Sequence, residues 1–105
     1  MLIYNITCLV TPQHSCDFLK WISAYGASAL MQEPMLSHPR LMEVADPTNP
    51  DGSSYALHMH AEASVAQLRT WEQKALPALF STWQPDWMRH LLYFTTIMQP
   101  LDLCS

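Results

Sequence analysis

The chain has 105 residues, of which 50% are hydrophobic, 10% aromatic and 13% charged, with five Lys+Arg against nine Asp+Glu for a formal charge of -4. This suits one folded domain with its own core and excludes a disordered chain, and the lack of any basic run excludes nucleic acid as a partner. An ordinary soluble domain carries about 25% charged residues, so the deficit predicts that a second subunit covers part of the surface.

Residues 2–10 read as a strand, with Leu2, Tyr4, Ile6, Cys8 and Val10 on an apolar face and Ile3, Asn5, Thr7 and Leu9 on a mixed one. Thr11-Pro12 can start a helix, Thr11 as cap and Pro12 in the first turn. From there to about Met31 the chain reads as helix, with Phe18, Leu19, Ile22, Tyr25 and Ala29 as its core stripe. Gly26 within that run predicts a close approach or a break. Glu33-Pro34 ends the helix, because the residue before a proline is pushed out of the helical region.

Residues 36–45 read as a second strand, which Pro39 confines to a sheet edge because it cannot donate to a ladder. Asp46 to Ser53 is a loop rich in Pro, Asp and Asn, and residues 54–62 form a third strand, antiparallel to the second. There Tyr55, Leu57, Met59 and Ala61 alternate with Ala56, His58, His60 and Glu62. Ser64-Val65-Ala66-Gln67 has the form of a capping box. The helix it opens carries Leu68, Trp71, Ala75 and Leu76, and the stripe continues through Phe80, Trp83 and Trp87. Pro77 is expected to kink or restart it, since it removes a donor and crowds the preceding turn. Residues 91–98 read as a fourth strand, and 100–105 as a tail.

The order β-α-β-β-α-β predicts an α+β, ferredoxin-like single domain over residues 1–105. Its four-stranded antiparallel sheet has both helices on one face. Right-handed crossovers place the first and third strands in the centre and the second and fourth at the edges. The other sheet face is left bare.

No apolar stretch spans a bilayer, since Lys20, Arg69, Glu72, Lys74 and Arg89 interrupt them, so no membrane partner is expected. Met1 to Asn5 opens without a basic region or a cleavage pattern, and a cytoplasmic protein is the expectation. Cys8, Cys16 and Cys104 are odd in number and irregular in spacing, which suits neither a disulfide framework nor a zinc knuckle.

Leu2-Ile3-Tyr4-Asn5-Ile6-Thr7 resembles the I-I-Y-N-V-T opening of a family of short bacterial proteins classed as domain of unknown function 4286. Phe18-Leu19-Lys20-Trp21-Ile22 is similar to its W-L-x-W-M helix, Ser54-Tyr55-Ala56-Leu57 to its T-Y-x-V strand, and Ala75-Leu76-Pro77-Ala78-Leu79 to its A-P-A-L segment. Phe94-Thr95-Thr96-Ile97-Met98 is similar to its closing F-R-T-L-M strand. The resemblance implies a dimeric α+β barrel, in which two bare sheet faces pack together, and brings no established reaction. This chain departs from the family pattern at Tyr25-Gly26-Ala27-Ser28, at His58-Met59-His60 and at Thr95, where the pattern has Glu-His-Ile-Pro, Gln-Tyr-Phe and Arg. Glu43 also stands where the family pattern has Arg.

The sharpest local feature is His58-x-His60, two imidazoles on one side of a strand. If Tyr55 and Leu57 face the helices, His58 and His60 face the bare side, where Asn5, Thr7, Tyr93 and Thr95 would join them as a candidate ligand-binding set. A carboxylate, Glu43 the most available, would complete a site for Zn²⁺, Fe²⁺ or Cu²⁺. Two recognisable ligands are too few, and polar residues at a damp interface are the stronger reading; no metal and no cofactor are expected. His14, His38 and His90 are expected to be solvated, and Cys8 to be shut away in the core as a poor nucleophile. The function expected is a non-enzymatic homodimer that binds a small molecule or protein. The alternative is a small dimeric-barrel enzyme doing cofactor-free oxygen chemistry on an aromatic substrate in the cavity between subunits.

Overall fold

The computed structural model describes residues 1–45 and 52–102. Four strands, β1 (Leu2–Val10), β2 (Leu36–Glu43), β3 (Ser53–Ala61) and β4 (Leu91–Met98), form one sheet in the order β2-β3-β1-β4. Every neighbouring pair is antiparallel. The central positions of β1 and β3 follow from the right-handed crossovers, and Pro39 falls on the edge strand β2, where its missing N–H breaks no interior ladder. The 46–51 part of the expected loop lies outside the described residues, as does Cys104.

Both helical segments pack on one face of the sheet. The first begins with a 3-10 turn, Pro12–His14, and continues through α1 (Ser15–Trp21), a π-helical turn (Ile22–Gly26) and α2 (Ala27–Leu30). Pro12 sits in the first turn as expected, but Thr11 supplies no side-chain cap; its hydroxyl instead lies 3.0 Å from His14 Nδ1. The π turn changes which residues reach the core. Phe18, Ile22, Gly26 and Leu30 are buried, at a strict spacing of four, whereas Leu19 and Tyr25 are exposed. A regular helix would have advanced by 3.6 residues per turn and buried Tyr25 and Ala29; the wider turn carries the stripe one position on. Gly26 marks a close approach, though not to the sheet: a Cβ there would stand 2.6 Å from Ile22 Cδ1 and 3.3 Å from the Trp21 ring, so the Ile22 side chain would have to shift.

The second helix, α3 (Val65–Trp83), opens on the expected capping box. Gln67 N–H donates to Ser64 Oγ at 3.1 Å, and Ser64 N–H donates to Gln67 Oε1 at 2.8 Å. No restart occurs at Pro77, because α3 runs unbroken through it. Leu76 and Phe80, on either side of the proline, are both buried, and their burial outweighs the loss of one helical donor. Trp83 is followed by a turn and a 3-10 segment, Trp87–Arg89, that feeds β4.

The core lies between the sheet and this helical layer. Tyr4, Ile6 and Val10 of β1 and Leu57 and Met59 of β3 meet Phe18, Leu68, Leu76 and Phe80 there, all at most 3% exposed. The least principal extent of the molecule, 21 Å, is that of two layers about 10 Å thick.

Candidate functional site

The strand register arranges the open face of the sheet in rows, because cross-strand partners in antiparallel pairs project to the same side. One row runs Phe94, Thr7, Ala56, Met42 across β4, β1, β3 and β2; the next runs Thr96, Asn5, His58, Arg40. The third comprises Met98, Ile3, His60 and Ser37. Polar groups thus fill the middle, while Leu92, Phe94 and Met98 on β4 are 66%, 53% and 41% exposed and Met42 on β2 is 39% exposed.

Of the residues expected on this face, Asn5, Thr7, His58 and His60 are there, and Asn5 Nδ2 donates to Thr7 Oγ1 at 2.9 Å. Tyr93 and Thr95 are not. They pair with Cys8 and Ile6, on the side that packs against the helices. Tyr93 packs against Phe80 with ring centroids 4.9 Å apart, and the Thr95 hydroxyl accepts from Arg69 Nη1 at 2.6 Å. Glu43 is likewise on the other side, opposite Tyr55, so the carboxylate that would have completed a metal site does not share a face with the imidazoles. Among the described residues no group of three or more His, Cys, Asp or Glu side chains is placed to hold a metal ion.

His38 is exposed, as expected, and also belongs to this face. Between Ser37 and Arg40 the register of β2 slips against β3 by one residue, a bulge. His38 sits in it with φ 55, in the left-handed region, where Pro39 after it disfavours the ordinary helical conformation. That backbone turn stacks the His38 ring on His60, centroids 4.5 Å apart at 28°, with Nδ1 2.9 Å from Ser37 Oγ. A second histidine pair was equally unexpected. His14 and His90 stack at 3.7 Å, and Asp86 lies 3.2 Å from His90, which draws its carboxyl below the usual range. The first pair depends on the pairing of β2 with β3, and the second on two 3-10 turns at the ends of β1 and β4 coming together, neither of which the sequence shows locally.

Polar chemistry also runs beneath the sheet. Tyr4, fully buried, donates its hydroxyl to Glu72 Oε2 at 2.5 Å, and Arg69 Nη1 binds Glu72 Oε1 at 2.7 Å. Burial and the Glu72 carboxylate push the Tyr4 phenol far up. Partial burial pushes Glu72 up too, but the hydrogen bonds from Tyr4 and Arg69 outweigh it and leave the carboxyl below its usual value. Glu72 is therefore ionised and Tyr4 neutral, an ion pair with a buried hydrogen-bond donor rather than an acid and base poised for catalysis. Cys8 is buried as expected, and desolvation pushes its thiol up to about 12, which suppresses the thiolate.

A four-stranded antiparallel sheet in the order β2-β3-β1-β4, with its helices on one face, defines a ferredoxin-like α+β domain. A solved structure to which it is similar is that of an uncharacterized NIPSNAP domain protein from Burkholderia xenovorans, 17% identical, aligned over 100% of this chain and 99% of that one with a TM-score of 0.60, which shows a shared fold. The chain belongs to the family described as Domain of unknown function (DUF4286), which matches residues 1–101. No curated protein matches it. No helix among the described residues is long and apolar enough to cross a membrane.

Proposed function

We propose that this is a non-enzymatic, homodimeric binding module of the bacterial cytoplasm, closed by a second copy of the chain seated on the open sheet face. The observation that carries the reading is the exposure of Leu92, Phe94 and Met98 in one line along β4, on the face that no helix covers. Four strands about 4.8 Å apart and eight residues long give that face roughly 500 Å² in plan. Side-chain relief brings this within reach of the roughly 800 Å² per partner of a stable complex. Polar residues in the middle of the face would then line a cavity between the copies. Cys8 and Cys16 are free thiols, in keeping with a reducing compartment, and the resemblance to a bacterial family supports the source. Sedimentation equilibrium at micromolar concentration should return twice the chain mass, and Phe94→Lys should return a monomer with an unchanged circular dichroism spectrum. A wild-type monomer overturns the reading.

A second reading, a dimeric-barrel enzyme acting without a cofactor on a small aromatic substrate, draws on His58 and His60 together on that face. Oxygen uptake with aromatic substrates, lost in His58→Gln/His60→Gln, would move it to the front.

A further inference from the structure

The charge on the open face runs against that of the chain. The sequence carries -4, yet no Asp or Glu falls in any paired row of the face, which holds Arg40 and the imidazoles of His38, His58 and His60. Arg40 is exposed, sits opposite His58 across β2 and β3, and makes no ion pair with any described residue. Asn5, on the other side of His58, gives one amide hydrogen to Thr7 and keeps a second. The nearest carboxylate along β3 is Glu62, beyond the row of His60 and about 14 Å along the strand from His58, more than a Debye length at physiological salt. The neighbouring row, Phe94, Thr7, Ala56 and Met42, is apolar at both ends and lies about 7 Å away.

We infer that this face binds a small organic anion, a carboxylate on a flat apolar body. Arg40 and His58 take the charged end, and the body lies over Met42 and Ala56, which follow them on the same two strands in the next row. A guanidinium offers a planar fork that matches a carboxylate, and an imidazole N–H adds a second donor beside it. The separation of the two rows, about 7 Å, is the length of one ring with its carboxyl group. The same arrangement discourages a metal cation, for which Arg40 supplies charge of the wrong sign. His58 faces Arg40 on β2, Asn5 on β1 and, along its own strand, His60, none of which is acidic.

The inference rests on the reading of this face as a binding surface and assigns its ligand class. Calorimetric titration with benzoate and its neutral counterpart benzamide tests it, with sedimentation on the same samples. Benzoate should bind at least tenfold more tightly than benzamide. Arg40→Gln should lose at least tenfold in benzoate affinity, Arg40→Lys should keep only part of it because an ammonium has no planar fork, and His58→Gln should weaken benzoate more than benzamide. No benzoate binding, equal affinity for benzamide, or full affinity in Arg40→Gln overturns the inference without recourse to any variant that fails to fold. A dimer with no preference for the anion overturns the ligand class alone. A monomer that still prefers benzoate overturns the second copy alone, because every group invoked belongs to one chain.

Discussion

Tyr4 shows how one hydroxyl can tie the sheet to the helix layer. Its ring is fully buried and meets Trp71 edge-on at 5.8 Å, while its oxygen donates to Glu72, which Arg69 holds from the solvent side. Tyr4→Phe should cost about 1.5–3 kcal/mol and lower Tm by at least roughly 6 °C, read by thermal denaturation, since it removes one charge-assisted bond and leaves the ring. The Glu72 carboxyl titrates below its unfolded value. Its contribution is therefore complete above the ordinary carboxylate range and is lost as pH falls through the lowered folded value. Glu72→Gln should accordingly flatten the acid limb of stability below about pH 4.5 and leave the neutral region's slope alone. Cys8 should resist thiol reagents at neutral pH until the protein unfolds, whereas Cys16, exposed on α1, should react at once; peptide mapping after alkylation distinguishes them. The side on which Tyr4 lies could be read from the alternation of β1, but its partner could not. Glu72 is 68 residues away, and only the packing of α3 across the sheet brings the two together.

At the scale of elements, local chemistry decided most starts and stops. Ser64 and Gln67 announce α3 because two orphan donors need those two side chains at that spacing, and both bonds form. Ser64→Ala should lower stability by about 1 kcal/mol in chemical denaturation, with no change in the m value. Pro39 marked an edge strand, and β2 is one. What was not legible is the phase within elements. The π turn at Ile22–Gly26 adds to the first helix a shift that no periodic pattern announces, and Leu19 and Tyr25 surface as a result. In β4 both alternating sets, Leu91, Tyr93, Thr95, Ile97 and Leu92, Phe94, Thr96, Met98, are equally apolar, so period two gave no preference for either face. The register with β1 makes the choice, and it takes Tyr93 and Thr95 off the candidate site. The bulge that adds His38 to that face is of the same kind, because a one-residue slip in β2 leaves no mark on composition.

At the scale of the whole molecule, the two faces of one sheet hold phenylalanines in opposite circumstances. Phe80 of α3 is 1% exposed and packs against Trp87 at 5.3 Å and Tyr93 at 4.9 Å, closing the core over the sheet. Phe94, one residue beyond Tyr93 in the chain, is 53% exposed on the bare side. Truncation of the first should open a cavity that close-packed neighbours cannot fill, so Phe80→Ala should cost about 3–5 kcal/mol at any protein concentration. Truncation of the second removes nothing from the core of a single chain. If a second copy covers that face, folding and association are linked by mass action, and the wild-type Tm should climb with protein concentration. Phe94→Ala should then leave the Tm of the dilute protein nearly unchanged and abolish the climb. Thermal scans of both variants across a hundredfold range of concentration separate the two cases. A concentration-independent wild-type Tm, or a Phe94→Ala variant as damaged at low concentration as Phe80→Ala, would show that the bare face belongs to the core of one chain rather than to a contact between two.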